Sequence, residues 1–123
     1  MSVLASALIP HPFPMPLPEI SVSELQRLLA APQPPRLIDV REPDEWEIAR
    51  IAGAELLPLS QWPAIAETQL PDPQEPLLVL CHHGGRSARA ADFLLRKGFA
   101  EVTNVAGGID AWACEIDPAV PRY

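Results

Sequence analysis

Leu77-Leu78-Val79-Leu80-Cys81-His82-His83-Gly84-Gly85-Arg86-Ser87 sets four apolar residues directly before a cysteine, a two-glycine turn and the start of a helical pattern. The stretch reads as strand, loop, helix, with Cys81 at the junction. A thiol there faces the positive end of the helix and backbone N–H groups that lack intrahelical partners, which favours thiolate over thiol. Gly84 and Gly85 leave the backbone bare and free to take positive φ, so successive N–H groups can converge on an anionic sulfur or oxyanion. Cys81 is therefore the candidate nucleophile. The competing reading, a buried cysteine that merely closes a core strand, is weakened by the glycine loop that follows it.

Working outward, the helix from Ser87 offers Ala88, Ala91, Phe93, Leu94 and Leu95 for packing and stops at Gly98. Upstream, Leu37-Ile38-Asp39-Val40 is a second buried strand, and Arg41-Glu42-Pro43-Asp44-Glu45-Trp46 leads into a helix with proline in its first turn. Asp39 and Arg41 are odd company for a core strand end, so they form either an internal ion pair or part of a site. Ile51 to Leu57 suggests a turn at Gly53 and a short strand ended by Pro58. Residues 60–69 follow as a weak helix, and Pro71-Asp72-Pro73 as a loop. Val102 to Val105 is a further strand, after which Gly107-Gly108 turns the chain into a short helix carrying Ile109 and Trp112. Near the start, Ile20 belongs to a short first strand and Ser21-Val22-Ser23-Glu24 is a capping box. It opens a helix whose apolar face is Val22, Leu25, Leu28 and Leu29, stopped by Pro32, Pro34 and Pro35. Strands alternating with helices predict an α/β fold with a mainly parallel sheet, whose binding sites lie beyond the carboxyl ends of the strands. Cys81 and Arg41 both fall at that edge.

With 123 residues, 48% of them hydrophobic, the chain suits one domain with a single core. Prolines at 10, 12, 14, 16 and 18 disfavour helix and ladder pairing, so residues 1–18 read as a Pro-rich extension. Residues 19–118 form the domain and 119–123 a tail. Sixteen acidic against nine basic residues give a net charge of −7, which argues against nucleic acid or a membrane surface as partner. The balance reverses after Cys81, where Arg86, Arg89, Arg96 and Lys97 face one anion, Asp92. That pattern points to small anions at the loop, with Arg96 and Lys97 placed in the last helical turn for the dipole. Cys81 and Cys114 have no C-x-x-C spacing, so neither a redox motif nor a metal site is expected, and a reduced, cytoplasmic setting fits. No basic residue precedes the N-terminal apolar run, unlike a secretory signal, and no run approaches the ~20 residues of a membrane span.

Over about residues 19 to 118 the chain resembles the rhodanese family of sulfurtransferases in its single-domain form. The resemblance is carried by Leu37-Ile38-Asp39-Val40-Arg41-Glu42, Ile51-Ala52-Gly53-Ala54, the loop Cys81 to Ser87, Gly98-Phe99, and Asn104-Val105-Ala106-Gly107-Gly108-Ile109-Asp110-Ala111-Trp112. It implies a rhodanese-like domain with a five-stranded, mainly parallel sheet flanked by helices on both sides. It also implies a persulfide-bearing cysteine in the loop after the fourth strand. One departure is Arg50-Ile51-Ala52-Gly53-Ala54 where the family often has His-Ile-Pro-Gly-Ala, which replaces a histidine by Arg50 and a proline by Ala52.

The implied chemistry is transfer of a sulfane sulfur from a donor such as thiosulfate to a thiophilic acceptor, cyanide or thiol, through a persulfide on Cys81. A protein persulfide is a further partner of the same chemistry. No cofactor is implied. His82, His83, Gly84, Gly85, Arg86 and Ser87 form the persulfide-binding loop, their N–H groups facing the sulfur. Arg86 either holds the donor's oxyanion or braces the loop. His82 and His83 line the pocket mouth, and as neighbours in a tight loop they cannot easily converge on one metal ion. Asp39 and Arg41 are a structural pair or line the pocket rim. Trp46, Trp62 and Trp112 read as packing anchors, and Cys114 as unreactive. A rhodanese-fold binding module without chemistry would lack the cysteine or the loop, and neither sign is present. Phosphatases and arsenate reductases of related fold carry one more residue between cysteine and arginine; four residues separate Cys81 from Arg86, a loop sized for one sulfur atom.

Overall fold

The strand Leu77–Leu80 (β4) feeds two cores at once. Leu77, Val79 and then Cys81 pack with Ala66, Leu70, Ala90, Ala91 and Leu94, while Leu78 and Leu80 pack with Val22, Leu25, Ile109 and Trp112. Alternate side chains point to opposite faces, so a strand that is apolar at every position belongs in the middle of a doubly covered sheet. The computed structural model, which describes residues 16–123, has it there. The order is β1-β5-β4-β2-β3, with β1 at Glu19–Ile20, β2 at Arg36–Asp39, β3 at Ala54–Leu56 and β5 at Val102–Val105. Every pairing is parallel.

Helices α1 (Val22–Leu29) and α5 (Gly108–Glu115) cover one face, and α3 (Ala64–Gln69) and α4 (Gly85–Arg96) the other. The short α2 (Pro43–Ile48) buries no residue and lies between β2 and β3 in sequence. The capping box forms as expected: Glu24 N–H donates to Ser21 Oγ at 3.2 Å and Ser21 N–H to Glu24 Oε1 at 3.5 Å. The weak helix over 60–69 is instead a 3₁₀ turn, Leu59–Gln61, and then α3, because Pro63 has no N–H to carry a continuous ladder. Strand β2 begins one residue early, since Arg36 is pinned to Glu55 at 2.7 Å and Glu75 at 3.0 Å. No helix among the described residues is long and apolar enough to cross a membrane.

Residues on both sides of the 19–118 stretch contact the domain. Pro18 lacks a donor but keeps its acceptor, and its carbonyl takes the Asn104 N–H at 2.8 Å while Leu17 packs on the core. Residues 17 and 18 of the Pro-rich extension therefore contact the sheet and the core; the expectation for residues 1–15 lies outside the described residues. At the other end, residues of the C-terminal tail, 119–123, also contact the domain. Val120 packs on the second core, and Arg122 bonds Asp110 at 3.0 Å. Of the tryptophans Trp112 alone is fully packed, at 9% exposure. Trp62 meets Phe93 edge-on at 5.9 Å, and Trp46 carries the Arg50 guanidinium 5.0 Å from its ring centre. The histidine-to-Arg50 departure is thus absorbed by a surface cation–π contact.

Candidate active site

Cys81 ends the central strand with 1% of its surface exposed, its Sγ at the N-terminus of the 12-residue α4. Gly84 caps that helix at φ 111°, a left-handed conformation that glycine takes without strain, and its N–H donates to Sγ at 3.1 Å. The helix begins at Gly85, two residues before the expected start, because Gly84 itself supplies the cap. Arg86 consequently stands on the first helical turn. The Ser87 hydroxyl lies 3.3 Å from Sγ, 2.5 Å from Asn104 Oδ1 and 3.3 Å from the Gly84 carbonyl. One hydroxyl proton serves three acceptors, so a thiol can donate to Ser87 while Ser87 donates to Asn104, whereas an anionic sulfur draws the Ser87 proton to itself. Asn104 is fixed from behind, its Nδ2 donating to Glu19 at 2.9 Å and to the Gly84 carbonyl at 3.2 Å.

The loop carbonyls are held from the opposite side by the start of α5. Ile109 N–H donates to the Cys81 carbonyl at 2.9 Å and Asp110 N–H to the His82 carbonyl at 3.0 Å. This approach requires Gly108, where a Cβ would collide with both carbonyl oxygens.

The Arg86 guanidinium is paired across the site. Its Nη1 and Nη2 grip Glu45 at 2.6 and 2.8 Å, a bidentate pair that ties α4 to α2. That pair holds the Glu45 carboxyl down from its ordinary 4.5 to about 2, with burial opposing and the Glu42 N–H and Tyr123 hydroxyl assisting. The folded value lies below the unfolded one, so the contribution is complete above about pH 5 and is lost as pH falls toward 2. Glu45→Gln should therefore lower the melting temperature most at neutral pH, and the gap to the native protein should narrow in melts taken between pH 5 and 2. A gap that stays constant would count against the pair.

Asp39 and Arg41 do not line a rim. Both are wholly buried, and Arg41 binds Asp39 through Nη2 at 2.7 Å and through Nε at 3.0 and 3.1 Å. The remaining donors reach the Glu45 and Ala49 carbonyls at 3.2 and 2.6 Å and the Tyr123 hydroxyl at 2.7 Å. A strand-end charge of this length survives burial by satisfying α2 and by being paired, so it acts as a scaffold for the residues that touch the loop. His82 and His83 lie ring against ring at 3.9 Å. Burial, then His83, push His82 below its ordinary 6.5, so it is neutral at pH 7. His83 is exposed, with Nδ1 3.9 Å from Asp110.

The sequence reading missed Glu45, Asn104, Gly108 and Tyr123 as parts of this site. Asn104 carried a signal: an amide inside the strand Val102-Thr103-Asn104-Val105 needs a buried partner. Glu45 reads equally well as an ordinary acidic residue in a first helical turn. Tyr123 is far from Cys81 in sequence, and no local pattern connects them.

Fold and site together define a parallel α/β domain built around a cysteine capped by a helix N-terminus. Residues 21–115 match the family described as the Rhodanese-like domain, and the chain belongs to that family. It is 40% identical over 113 residues to the Rhodanese-like/PpiC domain-containing protein 12, chloroplastic, of Arabidopsis thaliana, across 88% of this chain and 38% of that protein. It is 37% identical to the adenylyltransferase and sulfurtransferase MOCS3-2 of Zea mays, across 87% of this chain and 24% of that one. The chain thus spans well under half the length of these two relatives. Among solved structures, the human single-domain sulfurtransferase TSTD1 superposes with a TM-score of 0.68 at 28% identity, over 81% of this chain and 98% of that one.

Proposed function

We propose that the protein is a sulfurtransferase that carries a sulfane sulfur on Cys81. The carrying observation is the sulfur's setting: Gly84 N–H at 3.1 Å and Ser87 hydroxyl at 3.3 Å, at the head of α4. In the loading step the Cys81 thiolate attacks the outer sulfur of thiosulfate. The donor's S–S bond breaks, sulfite leaves with the electron pair, and a new S–S bond makes the persulfide. In the second step an acceptor, a thiol or cyanide, attacks the outer persulfide sulfur and Cys81 returns as thiolate. The Gly84 and Ser87 donors face Sγ, which is negative as the attacking thiolate of the first step and as the leaving thiolate of the second, and they are in place before reaction. With Arg86 occupied by Glu45, the loop binds the sulfur through its backbone and Ser87, and Arg86 sets the loop's shape. A protein persulfide is a donor, and a protein thiol an acceptor, of the same chemistry, and sulfurtransferase relatives within larger proteins support that reading. Both cysteines are free, which suits thiol chemistry in a reducing, cytoplasmic setting.

Loop size supplies the test against a phosphoryl-transfer reading. One glycine inserted after Gly84 should move the cap away from Sγ and cost about 2.7–4 kcal/mol of stabilisation for the donor lost, a drop of about a hundredfold or more in sulfur transfer. Native and inserted proteins are to be assayed side by side with thiosulfate and an aryl phosphate. Strong phosphatase activity in the native protein, or undiminished sulfur transfer after insertion, sinks the reading.

A further inference from the structure

Tyr123 lies outside the residues matched to the family, yet it touches the candidate site from two directions. Its ring stacks on His82 with centroids 3.9 Å apart and planes 5° from parallel, so that His82 is sandwiched between Tyr123 and His83. Its hydroxyl accepts from Arg41 Nη1 at 2.7 Å and donates to Glu45 Oε2 at 2.8 Å. Glu45 in turn grips Arg86. The two flanks of the loop, His82 just after the sulfur and Arg86 on the first turn of α4, are therefore joined through one phenol. A residue present for packing alone would be sunk in a core; Tyr123 is 39% exposed and spends its hydroxyl on both neighbours. His82 Nε2 is enclosed without a hydrogen-bond partner among the described residues, and the imidazole stacks on both sides.

We propose that Tyr123 is a positioning residue for Cys81, holding the loop so that the Gly84 N–H and Ser87 hydroxyl stay aimed at Sγ. The inference rests on the reading of Cys81 as the sulfur carrier. Displacing either flank moves donors that sit 3.1 and 3.3 Å from Sγ, and sub-ångström misplacement is costly in a preorganised site.

The test uses Tyr123→Ala and Tyr123→Phe in a Cys114→Ser background, so that Cys81 is the sole thiol. Two quantities are read: the pH profile of Cys81 alkylation by iodoacetamide, and the single-turnover rate of sulfur loading from thiosulfate followed by mass. The alanine variant should load about tenfold more slowly or worse and shift its alkylation profile to higher pH, while the phenylalanine variant, which keeps the stack, falls between. Profiles and loading rates that match the native background in both variants overturn the proposal, whatever the melting temperatures do. Should the alanine variant fail to fold, the phenylalanine variant decides: slower loading by about threefold supports the role and unchanged loading overturns it. If the native protein takes no sulfur from thiosulfate, the sulfur-carrier reading fails by itself, and the alkylation profiles still decide whether Tyr123 positions Cys81.

Discussion

Cys81→Ser should abolish sulfur transfer from thiosulfate, and Cys114→Ser should leave it largely intact. A serine hydroxyl in the same place keeps the Gly84 and Ser87 contacts but cannot form the persulfide, so the loss is of the carrier itself and exceeds that from removing any one donor. Cys114 is exposed on α5, follows no glycine loop and heads no helix. Thiocyanate formed from thiosulfate and cyanide gives the measurement. Equal loss in both variants would mean that two thiols share the chemistry, and the single-nucleophile mechanism would fall.

Arg41→Met should destabilise the fold by about 3–5 kcal/mol, because it strands a wholly buried Asp39 carboxylate without its counter-charge. The Ala49 carbonyl loses its Arg41 donor in the same step, and the Glu45 carbonyl keeps only the Ala49 N–H, so α2 loses one of its anchors. Against a typical total of about 5–15 kcal/mol the loss brings the protein close to its unfolding threshold. Replacing both partners, as Asp39→Leu with Arg41→Met, removes the stranded charge and should recover part of the loss. Urea unfolding of the three proteins gives the comparison. A single variant within about 1 kcal/mol of native, the range of an exposed pair, would show that the buried pair does not hold the strand end.

How much of this was legible follows from how local each feature is. Strand β4 and the cysteine loop were readable because apolar continuity, two glycines and a helical pattern all fall within eleven consecutive residues. The capping box at Ser21 and the stop at Gly98 are local in the same sense. The role of Arg86 was open in the sequence, and the bracing alternative rests on Glu45, a partner 41 positions away. Asp39 and Arg41 were visible as unusual charges, but whether a charge is buried or faces a rim depends on what the rest of the chain lays over it, and here α2 and Tyr123 do so. Pro18 misled for a different reason: alternating prolines announce missing donors, and the sheet needed only its carbonyl. Tyr123 depends wholly on the return of residues 116–123 across the fold, which no periodicity encodes.

Intact-protein and peptide mass spectrometry after thiosulfate treatment shows whether Cys81 carries the sulfur. A covalent carrier should gain about one sulfur atom per chain, located on Cys81 and removed by cyanide. An unmodified Cys81 after treatment, or the added sulfur on Cys114, would contradict it.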